Sequence, residues 1–207
     1  MISHDLRCIL VHVQKTGGMS IRQALNMQQW DPHQHRFASE LQLLYGPELW
    51  QRYFKFGFVR NPWDRLVSWW EMIRRNVAEG RPMNGFQRYV LGNAATFEDF
   101  IRNCGDEYRD RDGSKWIYRN QVEYLTDSDG TLLVDFVGRF ENLPADFGFV
   151  AARLGLKSTL IPHVNRSTRR LYAEYYSDEL RAIVAHRYAR DIAAFGYEFG
   201  ESCVPQG

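Results

Sequence analysis

Cysteine is scarce in this chain. Cys8, Cys104 and Cys203 are odd in number, far apart, and form no Cys-x-x-Cys spacing. That argues against a disulfide framework or a zinc site and fits a reducing compartment. Net charge is nearly absent as well: 26 Lys and Arg stand against 25 Asp and Glu, which leaves +1. No global field recruits nucleic acid or an anionic membrane, so any anion site has to be built locally. A basic stripe interleaved with exposed aromatics, the footprint of a nucleic-acid binder, is missing too. No window approaches the ~20 apolar residues of a membrane helix. The start, Met-Ile-Ser-His-Asp-Leu-Arg, lacks the basic stretch and apolar run of a signal peptide. The expectation is a cytoplasmic protein with no integral membrane segment. Two phosphate fingerprints are also absent. There is no Gly-Lys dipeptide anywhere, which removes Gly-x-x-x-x-Gly-Lys-Ser/Thr, and no Gly-x-Gly-x-x-Gly follows the first strand.

What is present suits one α/β domain over residues 1–207, with 44% hydrophobic residues for its core. Cys8 to Val13 is a nearly continuous apolar run, the pattern of a parallel strand buried on both faces. Gly17-Gly18 follows, then a helix-compatible stretch from Met19 to Met27. The order recurs with Phe54 to Val59 as a strand, Asn61 as N-cap and Pro62 at the first helical position. Leu66, Trp70, Ile73 and Val77 form the apolar stripe of that second helix. Thr96 to Cys104 reads as a short helix, Leu133 to Phe140 as a third strand, and 144–154 as a helix ending near Gly155. A last helix runs from Ser177 to Phe195. Two strand-to-helix units and a later strand imply a parallel sheet flanked by helices. Residues 79–119, rich in Gly, Asn, Arg and Asp, are the expected irregular, substrate-facing lobe.

Two segments carry chemistry. In the first, Lys15, Thr16, Gly17, Gly18, Met19 and Ser20 join a buried strand to a helix. Glycines let the backbone approach an anion, and free N–H groups with the helix dipole favour negative charge. Lys15 adds a point charge; Thr16 and Ser20 add hydroxyls. An ordinary strand–turn–helix connection with a surface lysine has the same pattern. In the second, Arg60 ends a strand, and Arg65 and Ser68, three apart, share a helix face away from the apolar stripe. No carboxylate placed for Mg²⁺ follows that strand. Two anion sites at successive strand ends suit a ligand with two separated anionic groups.

These segments resemble the sulfotransferase superfamily, within it the carbohydrate-directed enzymes. Lys15 to Ser20 looks like that family's 5′-phosphosulfate loop, and Arg60 to Ser68 like its 3′-phosphate motif. The similarity continues through Gly138 to Leu143, Ile161 to Ser167 and Asp191 to Phe199. It implies a P-loop NTPase-like fold. It also implies metal-free transfer of a sulfuryl group from 3′-phosphoadenosine 5′-phosphosulfate (PAPS), leaving PAP, to a sugar or glycoconjugate hydroxyl. Met19 departs from the pattern, since many members carry threonine there. Arg166 and Ser167, in a late basic loop, are further candidates for the nucleotide. Lys15 is the candidate for stabilising the departing phosphate. His33-Gln34-His35 lies between the two motifs, and histidine is a usual general base near neutral pH. Related glycan sulfotransferases carry a similar His-x-His, which favours His35 with His33 as alternative. Glu40 and His163 are weaker candidates, and His12, inside the strand, reads as structural. A P-loop-related kinase and a non-catalytic PAPS- or PAP-binding module are the competing readings.

Overall fold

The structure, a computed structural model, describes residues 1–27, 29, 31–104, 117–158, 160–161 and 171–200. The chain folds as two compact units. Unit 1 is Met1–Arg60, Gln121–Ser167 and Ser202–Gly207; unit 2 is Asn61–Asn120 and Thr168–Glu201.

Unit 1 holds a sheet of order β1-β2-β3-β4, with β1 Ile2–Ser3, β2 Cys8–Val11, β3 Phe54–Val59 and β4 Phe136–Arg139. β2, β3 and β4 are parallel, with Leu10 opposite Phe56 and Phe58 opposite Gly138. β1 is a short antiparallel edge. The continuous apolar runs of β2 and β3 are explained by burial on both faces. Cys8, Leu10, Phe56 and Phe58 pack with Ile21 and Leu25 of α1 (Gly18–Ala24) and Phe147 and Val150 of α7 (Leu143–Arg153). The other helices of this unit are α2 (Ala38–Arg52) and α6 (Gln121–Leu125). They touch through Phe37 and Tyr124, whose rings are 4.7 Å apart. α2 has no counterpart in the sequence pattern. It bends at Gly46, φ 76°, just before Pro47, and that break hides its periodicity.

Unit 2 is helical among its described residues: α3 (Pro62–Ala78), α4 (Gly85–Asn93), α5 (Phe97–Asn103), α8 (Asp178–Arg187) and α9 (Ala189–Phe195). Asn61 caps α3 by accepting from Trp63 N at 3.1 Å, with Pro62 at the first position. Arg65, expected on a face away from the apolar stripe, is fully buried, with Nη1 donating to Arg119 O at 3.3 Å. Val77, expected in the apolar stripe, is exposed. Within 79–119, α4 and α5 replace an irregular chain up to residue 104, and 105–116 lie outside the described residues. The long C-terminal helix is broken at Tyr188. Asn120 explains the break: its Nδ2 donates to Arg187 O at the end of α8, and its Oδ1 accepts from Asp191 N at the start of α9. One side chain thus serves both orphan ends.

Candidate active site

The three parallel strands of unit 1 end at one edge, and each delivers a piece of the site there. Ligands of open α/β sheets bind outside the carboxyl ends of the strands. After β2 comes the turn from His12 to Gly18. Its shape is held from within: Thr16 is buried, and its Oγ1 donates to Val13 O at 2.8 Å. Lys15 takes a left-handed backbone, φ 70°, and so does Gly17, φ 86°. A Cβ on Gly17 would press on Leu143 Cδ2 at 3.1 Å and Phe140 Cδ2 at 3.2 Å. A Cβ on Gly18 would overlap the His12 ring. The two glycines are therefore needed for close packing as well as for turning. Met19 is exposed and Ser20 buried at the start of α1.

Arg60 follows β3. It is only 5% exposed, its guanidinium lies 3.9 Å from the centre of the Phe140 ring, and its Nη1 donates to Lys15 O at 3.0 Å. The arginine expected to read a phosphate is thus also the tie that holds Lys15 in its left-handed conformation. Gln121 fixes the Arg60 backbone from both sides. Arg60 N donates to Gln121 Oε1 at 2.9 Å, and Gln121 Nε2 donates to Arg60 O at 2.7 Å.

The histidines separate by their hydrogen bonds. His35 Nδ1 lies 3.2 Å from His12 O, and a carbonyl only accepts, so Nδ1 carries a proton, which in the neutral ring leaves Nε2 as the basic nitrogen. His33 is the reverse. Its Nδ1 accepts from Arg36 Nε at 3.0 Å, which assigns the ring proton to Nε2. The two rings thus present opposite nitrogens as bases, Nε2 in a neutral His35 and Nδ1 in His33. Its ring packs on His12, with centroids 4.6 Å apart. Burial first, then the nearby His35, the N-terminal amino group and Arg22, push the His12 imidazole well below its ordinary value of 6.5. Burial places His12 as a core residue, as expected, but against the site itself. Glu40 is engaged at the start of α2, where its Oε2 accepts from Phe37 N at 2.9 Å.

Arg22 organises the segment that leads to the histidine pair. From α1 its guanidinium donates to Met27 O at 3.1 Å, Gln29 O at 2.8 Å and Gln34 Oε1 at 3.3 Å. Neither Arg22 nor Gln121 has a local sequence signal, because their partners come from other elements. Phe140 does lie in a segment that the family resemblance covers. Ser68 is half-buried on α3 in unit 2. Arg166 and Ser167, with His163, lie outside the described residues.

A cleft of about 340 Å³ lined by Arg52, Lys55, Asp135 and Arg153 opens at the start of β3, the end of the strands away from the turn. Lys55 there is paired with Asp135 at 2.9 Å. The strand polarity separates this cleft from the site. Among the described residues no group of three His, Cys, Asp or Glu is arranged to hold a metal ion, and no helix is long and apolar enough to cross a membrane.

The model of the sulfotransferase family matches residues 1–198. Carbohydrate sulfotransferase 14 of Danio rerio is 26% identical over 171 residues, 71% of this chain and 44% of its own length. Carbohydrate sulfotransferase 10 of Mus musculus is 24% identical over 175 residues, 70% of this chain and 47% of its own. An uncharacterized protein of Archaeoglobus fulgidus is 30% identical over 124 residues, 58% of this chain and 82% of its own. The matches thus span less than half the length of the two named carbohydrate enzymes. No solved structure matches.

Proposed function

The chain belongs to the sulfotransferase family, and from that premise we propose that it transfers the sulfuryl group of PAPS to a hydroxyl of a carbohydrate. The observation that carries the reading is the meeting of three things at the strand ends of unit 1. They are a glycine turn bearing Lys15, an arginine tied to that turn, and a histidine bonded through Nδ1 to the His12 carbonyl at the head of the same turn. The donor set fits the nucleotide: a lysine and turn N–H groups suit a phosphosulfate, the Thr16 hydroxyl being spent on Val13 O, and a guanidinium suits a second phosphate.

When bound, PAPS supplies the sulfuryl group and departs as PAP. Residues Lys15 to Ser20 hold the phosphosulfate end, with Lys15 facing the charge that builds on the leaving phosphate. Arg60 reads the 3′-phosphate, and Ser68, Arg166 and Ser167 are carried as candidates by resemblance. His35 Nε2 accepts the proton that leaves the acceptor hydroxyl. The carbohydrate acceptor is supported by the two relatives named as carbohydrate sulfotransferases.

Thermal unfolding with PAP, PAPS, ATP and ATP–Mg²⁺ tests the donor. PAP should raise the melting temperature by mass action, and EDTA should leave the rise intact. A rise confined to ATP–Mg²⁺ would replace this reading with a kinase. Labelled PAPS offered with unsulfated chondroitin, dermatan and heparosan tests the acceptor class: label should enter the polymer. PAP binding without transfer to any hydroxyl-bearing saccharide would favour a non-catalytic binding module.

A further inference from the structure

We propose that His12 is a positioning residue, its buried ring lodged between the His35 ring and the Gly18 backbone so that the acceptor base and the donor turn are held by one side chain. The inference rests on the sulfotransferase reading and deepens it.

Four observations carry it. His12 is only 8% exposed, yet its Nδ1 has no hydrogen-bond partner among the described residues. A polar atom buried in that way carries a desolvation cost that an apolar residue would avoid. On one side, the ring lies against His35, tilted by 38°. On the other, Nε2, Cδ2 and Cε1 occupy the space that any Cβ on Gly18 would enter. Its own backbone carbonyl accepts from His35 Nδ1, which sets the tautomer of the base. His12 therefore touches both halves of the reaction, through its ring and through its main chain.

The charged groups around it are also defined. His35 faces it from the loop, Arg22 from α1, and the N-terminal amino group from the start of the chain. With those neighbours and its burial, His12 stays neutral. When His35 takes the acceptor proton, the ring beneath the new imidazolium carries no opposing charge. A neutral aromatic face under a cation is favourable, whereas a second cation at this separation is not.

The consequences separate binding from turnover. His12→Ala removes the support of His35 while Thr16 and Arg60 still hold the turn. Turnover should fall by about 10–100-fold, the cost of misplacing a catalytic group by about 1 Å. The KM for PAPS should change little, by less than about threefold, because the anion donors stay in place. His12→Phe restores a ring of similar size and should recover most of that loss. Gly18→Ala acts from the other side. Its Cβ must displace the His12 ring, so it should weaken PAP binding and also disturb His35. In the double variant His12→Ala/Gly18→Ala the space is free, and PAP binding should return to the level of His12→Ala while turnover stays low.

The experiment combines PAP calorimetry, turnover with PAPS and unsulfated chondroitin or whichever polymer of the acceptor panel takes label, and NMR of the His35 ring nitrogens. The NMR arm needs no acceptor. It should show Nδ1 protonated in the wild type and a mixed or reversed tautomer in Gly18→Ala. Absence of PAP binding, or wild-type turnover in His35→Ala, would sink the function reading itself. If PAP binds and His35→Ala is inactive, two results overturn the role of His12 alone. One is wild-type turnover in His12→Ala; the other is an unchanged His35 spectrum in Gly18→Ala. Should His12→Ala fail to fold, the Gly18→Ala spectrum and the rescue by His12→Phe still decide.

Discussion

At the scale of the residue, the site depends on side chains that do two jobs. Arg60 stacks on Phe140 and donates to Lys15 O, and its guanidinium is the proposed reader of the 3′-phosphate. Arg60→Ala should therefore weaken PAP more than AMP, which lacks that group. The difference should be about 1.5–3 kcal/mol, the worth of a charged hydrogen bond. Calorimetry on both ligands measures it; equal weakening would leave Arg60 only its tie to the turn. His12 makes a second prediction. In the unfolded chain it takes a proton near its ordinary value of 6.5, whereas burial keeps it neutral in the fold. The unfolded state then binds more protons, so stability is full above that value and declines as pH falls below it. Each pH unit costs at most about 1.4 kcal/mol for one group. Urea unfolding at about pH 7 and about pH 5.5 should show His12→Phe losing less stability than the wild type. Parallel losses would mean that His12 protonates in the folded protein.

At the scale of the element, sequence patterning works where local forces decide. The runs in β2 and β3 announce strands buried on both faces, and Asn61-Pro62 and Thr96 announce the starts of α3 and α5. It fails where a distant side chain decides. The break at Tyr188 is made by Asn120, and the bend inside α2 by Gly46 ahead of Pro47. The site follows the same division. The glycine turn, Arg60 and the His-x-His pair stand out in the chain. In the sequence the preference for His35 over His33 rests on resemblance alone, and its physical reason, opposite tautomers, needs the His12 carbonyl and Arg36 in place. Gln121 is illegible for the same reason, lying 61 residues from the strand end it clamps. From α6 it bonds both backbone groups of Arg60, so Gln121→Ala takes one buried hydrogen bond from each. Denaturant unfolding should show a loss of about 1–3 kcal/mol, given about 0.5–1.5 kcal/mol for each bond.

At the scale of the whole molecule, the nearly balanced charge sets how the site captures its ligands. The 26 basic and 25 acidic residues cancel to +1, so attraction for an anion falls off within the site that makes it. The cations that matter are few, and Arg60 is shielded from solvent at 5% exposure. Screening acts strongly on exposed charges beyond a Debye length, which shrinks from ~10 Å at 0.1 M salt to ~3 Å at 1 M, and weakly on buried pairs. PAP affinity should therefore fall less than about tenfold as salt rises from about 0.05 to about 0.5 M. A basic surface that neutralises many phosphates would lose about 10³–10⁵ over a smaller range. Calorimetric titrations of PAP across that salt series distinguish the two. A loss beyond about a hundredfold would mean that a diffuse basic face, rather than the turn and Arg60, captures the nucleotide. A shallow dependence, combined with the PAP-over-AMP selectivity carried by Arg60, is what a local site on a neutral protein requires.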